Sequence, residues 1–279
     1  MVQFLHDEFL YHAKEVRFIK NTFTSISKRN FITIVEVNNP PANALSSASI
    51  KELRSVFHTL ANDEATRAII LTGFGRFFIA GADIKEFVTV LGKEAEALAM
   101  ATAGQALCDE IEAMNKPVIA AINGPALGGG LEVALGCHYR IATEQAILGL
   151  PELKLGLLPA FGGTQRLSRL TNPAIALEII LTSKQITSRE AYELGIIQQV
   201  VTIEELISAA IKTAESFIEG KSMTSITRTI ECIMQGYQKD VQHGLKRERH
   251  RFAELFKTND AREGIHAFVE KRKPNFTQS

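Results

Sequence analysis

The sequence predicts an α/β protein, with helices packed against sheets, that continues into a largely helical C-terminal region. Two patterns carry this reading. Residues 31–165 alternate short apolar or β-branched runs with amphipathic stretches, in repeated strand–strand–helix units. From Asn172-Pro173 onward the pattern is helical apart from short connectors. At 279 residues the chain can bury a sizeable core.

The elements follow in order. FITIVEV, residues 31–37, is β-branched and aromatic and predicts a strand. The prolines of NNPPANALS interrupt regular structure, and Ile50, Leu53, Phe57 and Leu60 then recur at helical spacing over residues 47–61. RAIILTG, residues 67–73, is a second buried strand. FFIAGADIKEF passes from a short strand through Ala80-Gly81-Ala82-Asp83 into a helix, where Asp83 reads as an N-cap. Residues 104–114 predict a helix with Leu107, Ile111 and Met114 on one face. VIAAI, residues 118–122, is a third buried strand that breaks at Asn123-Gly124-Pro125. Gly128-Gly129-Gly130 leads into the helix LEVALG. RIAT and AILGL are short strands, and Gly162-Gly163 precedes a helix from about Thr164. Thr187 with Glu190, and Thr202 with Glu205, have capping-box spacing, and Gly195 ends the first of the two helices. The second carries Ile203, Leu206, Ile207, Ala210, Ile211, Ala214, Phe217 and Ile218, a stripe wide enough to suggest packing on both the core and a partner.

Lys+Arg and Asp+Glu each total 31, so the formal net charge is zero, which argues against a nucleic-acid partner. No apolar run reaches the roughly 18 residues that a membrane span needs. The first 30 residues mix acids and bases without a signal-peptide core and read as an extension of unassigned role. Cys108, Cys137 and Cys232 are odd in number and form no CxxC pair, which implies buried thiols in a reducing compartment, the cytoplasm. The seven histidines show no metal spacing, so no metal site is expected.

Chemistry concentrates at two strand-to-helix turns, AGAD at 80–83 and GGG at 128–130. Each offers backbone N–H groups with no side chain in the way, suited to an anion or a developing oxyanion. Glu132 lies in the first turn after the second of them. Glu152 follows Pro151 in an apolar loop, where desolvation raises a carboxyl pKa and suits it to proton donation.

Four blocks in order, FFIAGADIKEF, NGPALGGGLEVALGCHYRIAT, LGLPELKLGLLPAFGGTQRL and EGIHAFVEKRKPNF, resemble the enoyl-CoA hydratase/isomerase, or crotonase, family from about residue 31 to 276. The resemblance implies a crotonase-like spiral of ββα units over 31–200 and a helical trimerisation region over 201–279, assembled as a homotrimer or a dimer of trimers. It implies an oxyanion hole from the amides of Ala82 and Gly129, and Glu132 and Glu152 as the catalytic pair. Ala80, Gly81 and Asp83 would meet the substrate, an acyl-CoA thioester, and Arg249 and Phe252 would meet coenzyme A at a neighbouring subunit's site. No cofactor is implied beyond the coenzyme A of the substrate.

The activity so implied is hydration of a 2-enoyl-CoA to a 3-hydroxyacyl-CoA. The thioester oxygen becomes negative as an enolate forms. Loss of one fixed donor to such an oxygen costs about 2.7–4 kcal/mol, and acid–base help contributes about 10²–10⁴-fold. The nearest alternative is a Δ3,Δ2-enoyl-CoA isomerase, which needs one glutamate. From another class comes a non-catalytic acyl-CoA-binding module, against which the two intact glutamates argue. A peptidase on this fold lacks support from any GxSxG turn.

Overall fold

The computed structural model describes residues 18–237 and 240–278. The chain winds as a spiral in which most turns add a strand to a large sheet, cross into a second layer and return through a helix. The first turn holds β1 (Phe18–Lys20), β2 (Thr24–Arg29), β3 (Ile32–Val37) and α1 (Ser47–Asn62). The second holds β4 (Ala68–Gly73), α2 (Ile84–Val90) and α3 (Glu94–Glu112). The third holds β5 (Val118–Ile122), β6 (Ala126–Leu127) and α4 (Gly129–Gly136). The fourth holds β7 (Tyr139–Thr143), β8 (Ile147–Gly149), a 3-10 turn (Glu152–Leu155), α5 (Gly163–Leu170) and α6 (Pro173–Leu181). The last holds β9 (Gln185–Thr187), α7 (Ser188–Glu193), β10 (Gln199–Val201) and α8 (Leu206–Ile218). Helices α9 (Met223–Tyr237), α10 (Val241–Leu255) and α11 (Asn259–Val269) follow.

The large sheet has seven strands in the order β1-β2-β3-β4-β5-β7-β10. Its first three strands pair antiparallel and the rest parallel, as crossover through helices requires. The second sheet has the order β6-β8-β9. Single parallel bridges, Leu45 to Ala82 and Ile79 to Ala126, tie the earlier turns to that layer. The repeated strand–strand–helix reading is therefore borne out.

Strands β4 and β5 are buried at every residue, because helices cover both faces of the sheet. Ile69, Leu71, Val118, Ala120 and Ile122 meet Leu53, Phe57 and Leu107 on one side. Ile70, Ile119, Ala121 and Ile141 meet Leu206, Ala210 and Ala214 of α8 on the other. This second contact corrects the reading of the wide stripe. Leu206, Ala210, Ile211, Ala214 and Ile218 are buried, with Ile207 and Phe217 packed beside them, all within one chain. Ile203 is exposed, and α8 starts only at Leu206, after a turn in which Thr202 donates to the Glu205 carboxylate rather than capping a helix. The Thr187–Glu190 capping box is formed.

Two boundaries also move. Residues 18–29, read as part of an extension, are β1 and β2 of the sheet, while residues 1–17 lie outside the described residues. Helix α3 begins at Glu94, not residue 104. Its first half faces a cavity instead of the core, so it lacks the periodic stripe that marks a buried helix. Among the described residues no helix is long and apolar enough to cross a membrane, and no cluster of three or more His, Cys, Asp or Glu is placed to hold a metal.

Candidate active site

The two glycine turns meet. In the first, Leu45 N–H donates to Gly81 O and Asp83 N–H donates to Leu45 O, each at 2.8 Å. Alternation along an extended chain then points the Ala82 amide away from Leu45. In the second, Gly128 N–H donates to Gly149 O at 2.9 Å. Gly129 opens α4, where first-turn amides have no carbonyl four residues back. Each of these two amides follows a glycine at positive φ, Gly81 at +99° and Gly128 at +51°. A Cβ on Gly128 would stand 2.7 Å from Glu152 Oε1 and 3.8 Å from the Gly81 Cα, so both turns and Glu152 abut at one point.

Glu132 is 2% exposed. Its Oε1 accepts from the amides of Phe161 at 2.9 Å and Gly163 at 2.6 Å. Desolvation outweighs those bonds and, with the charge of nearby Glu152, pushes its pKa up to about 7. Glu152 begins the 3-10 turn that follows β8, and burial pushes its pKa up too. Its Oε2 is buried with no hydrogen-bond partner among the described residues. Two carboxyl groups with raised pKa thus share one wall.

Ala80, Gly81, Ala82, Gly129, Glu132 and Glu152 all line one cavity of about 650 Å³, whose remaining wall is mainly apolar, with Phe87, Met100 and Phe161 among its members. A surface groove of about 770 Å³ under α6 contains neither glutamate. Not every candidate arrives at the cavity. Asp83 caps α2, its Oδ1 accepting from Lys85 N–H at 3.0 Å, and does not line the cavity. Arg249 and Phe252 sit on the exposed side of α10, Phe252 edge-on to Phe256 at 5.1 Å, and neither lines the cavity. His138 is held between Val118 N–H and Glu112 O as a structural residue.

Sequence reasoning missed the loop that holds Glu132. Phe161 and Gly163 supply both donors, yet Gly162-Gly163 reads only as a helix start. The signal was present: a glycine pair before a helix leaves orphan amides, as the GGG turn does.

The raised pKa of Glu132 has a sign that can be tested. A folded value of about 7 against an ordinary 4.5 means that the stability tied to this proton is fully present below 4.5 and is lost as pH rises through about 7. Glu132→Gln keeps an acceptor oxygen and removes the titration. The melting temperature of the variant relative to wild type should rise between about pH 5 and about pH 8, read by thermal denaturation. A constant difference over that range would remove Glu132 as a group titrating there.

Comparisons with known proteins show the family. The family described as enoyl-CoA hydratase/isomerase matches residues 27–279. A Bacillus subtilis protein described as a probable enoyl-CoA hydratase is 47% identical over 253 residues, 90% of this chain and 97% of its own. The short-chain-enoyl-CoA hydratase of Clostridium acetobutylicum is 39% identical, over 89% of this chain and 95% of its own. The crystal structure of enoyl-CoA hydratase from Bacillus anthracis superposes with a TM-score of 0.84 at 36% identity, covering 95% of this chain and all of that one. The chain belongs to the enoyl-CoA hydratase/isomerase, or crotonase, family and within it is most like the enoyl-CoA hydratases.

Proposed function

We propose that the chain is an enoyl-CoA hydratase, a lyase that adds water across the 2,3 double bond of a 2-enoyl-CoA to give a 3-hydroxyacyl-CoA. The observation that carries the reading is the convergence of two carboxyls with raised pKa and two unobstructed amides on one cavity. In this reading the thioester oxygen receives the N–H groups of Ala82 and Gly129. Negative charge then grows where fixed dipoles already point, and they need not reorganise as the reaction proceeds. Glu132, steadied through Oε1, takes a proton from water as its oxygen bonds to C3. Glu152 delivers a proton to C2 of the enolate. The proton gained by one glutamate and lost by the other is exchanged before the next turnover, so the site returns unchanged. The steps balance with water and two carboxyls and call on no further cofactor.

An isomerase moves one proton between C2 and C4 and needs one base. That gives the test. Glu152→Gln should abolish both hydration of a 2-enoyl-CoA and isomerisation of a 3-enoyl-CoA. Glu132→Gln should lower hydration by roughly 10²-fold or more while sparing most isomerisation. Hydration at the wild-type rate by Glu132→Gln would replace the hydratase reading with the isomerase one.

Assembly and location belong to the same proposal. Phe252, Phe256, Phe268 and Val269 are exposed on the C-terminal helices, apolar surface of the kind that association covers. It supports a homotrimer or a dimer of trimers in which Arg249 and Phe252 serve the coenzyme of a neighbour. The buried free thiols of Cys108 and Cys137 support the cytoplasm. Light scattering should give a trimer or hexamer mass at micromolar concentration. A monomer would remove Arg249 and Phe252 from any neighbour's site.

A further inference from the structure

Glu132 depends on a loop that is itself held by a side chain outside the cavity. The two amides on Glu132 Oε1 belong to residues 161 and 163, so the peptide between them carries the Phe161 carbonyl and the Gly162 N–H. Arg166 Nη1 donates to that carbonyl at 3.0 Å. The same guanidinium donates through Nε to Glu112 Oε2 at 2.8 Å and through Nη2 to Asp109 Oδ1 at 2.5 Å. Both acids lie on α3, whose first half lines the cavity. Arg166 and Glu112 are largely buried, at 14% and 16% side-chain exposure, which makes this pairing a fixed one rather than a surface ion pair. Gly162 also accepts from Arg166 N–H at 2.8 Å, turning the loop into α5.

We propose that Arg166 is a positioning residue: by pinning the Phe161 carbonyl to Glu112 and Asp109 it sets the plane of the central peptide. That plane fixes both flanking amides at the spacing that chelates a single oxygen of Glu132. Arg166 acts through the loop and touches neither substrate nor the reacting atoms. Its planar fork is essential to the role, because one group must serve three acceptors in fixed directions. A lysine ammonium keeps the charge without that geometry.

The charged and titratable groups around Glu132 are Glu152 from the 3-10 turn, Arg166 from α5 and Cys108 from α3. Cys108 is held neutral by burial, and the Arg166 charge is countered by Glu112 and Asp109. Loosening the loop therefore acts on Glu132 mainly by weakening two bonds that favour its ionised form, which moves its titration to higher pH.

The kinetic arm of the test rests on the hydratase reading; the titration arm does not. Arg166→Gln and Arg166→Lys should each lower kcat for 2-enoyl-CoA hydration by roughly 10- to 10²-fold, the scale of a small misplacement, with KM changed little. Glu112→Gln, which leaves Arg166 in place, should give a smaller loss in the same direction. In a Glu132→Gln background, Arg166→Gln should add little further loss. Once Arg166 is replaced, by Lys as well as by Gln, the stability gap between proteins with and without the Glu132→Gln substitution should keep widening to a higher pH before it levels off, a readout that needs no turnover. A folded Arg166 variant with wild-type kcat overturns the proposal. So does a loss that multiplies fully onto that of Glu132→Gln with the titration unmoved. Should Arg166→Gln fail to fold, Arg166→Lys and Glu112→Gln decide by the same criteria. A wild type that hydrates nothing, with a titration that still moves in Arg166→Lys, where the charge is kept, defeats the hydratase reading and leaves the positioning role standing.

Discussion

A carboxylate buried inside a protein must find donors or give up its charge. Glu132 sits between those outcomes. Two amides of one loop chelate a single oxygen, yet burial and a second carboxyl nearby lift its pKa to about 7. Much of the surrounding architecture maintains that balance. Helix α4 carries Glu132 inward at its first turn, immediately after the glycines that free the Gly129 amide. The ring of Phe161 packs against Gly129 while its amide holds Glu132, so the proposed oxyanion donor and the proposed acid–base group share one support. The spiral brings these pieces together because successive turns stack their strand ends side by side. Ile79, Ala126, Leu148 and Ile186 stand next to one another across four turns.

The backbone packing leaves little room for variation here. A Cβ on Gly130 would lie 1.9 Å from the Ile79 carbonyl oxygen. The third glycine of the triple therefore serves close packing between turns, while the second is placed to present its amide. One motif does both jobs, and only the structure separates them.

What was legible in the sequence follows from which forces leave a periodic trace. Strands buried on both faces, such as AIILTG and VIAAI, stand out as unbroken apolar runs. The AGAD and GGG turns were visible because glycines at a strand-to-helix break free backbone amides, and both glutamates because they stand beside such turns at the positions the resembling family carries them. The first half of α3 was not, since Ala97, Met100 and Ala101 face a cavity and give no core stripe. The stripe on α8 was visible but misassigned, because periodicity reports how much of a helix is covered and not by what. Residues 161–163 and Arg166 escaped notice for another reason. The pair Gly162-Gly163 reads as a helix start although it frees amides as the GGG turn does, and the fork of Arg166 reaches Asp109 and Glu112 across more than fifty residues of sequence.

In the proposed mechanism hydration and isomerisation share the enolate and its two donors, so neither Ala82 nor Gly129 distinguishes them. The distinction lies in whether a second carboxyl prepares a water molecule, and it leaves a permanent mark in the product. The most direct measurement is mass spectrometry of the product formed from a 2-enoyl-CoA in heavy-oxygen water and, separately, in deuterium oxide. The account predicts a 3-hydroxyacyl-CoA with solvent oxygen at C3 and solvent deuterium at C2. A product that has gained deuterium but no oxygen, with its double bond moved, would contradict it.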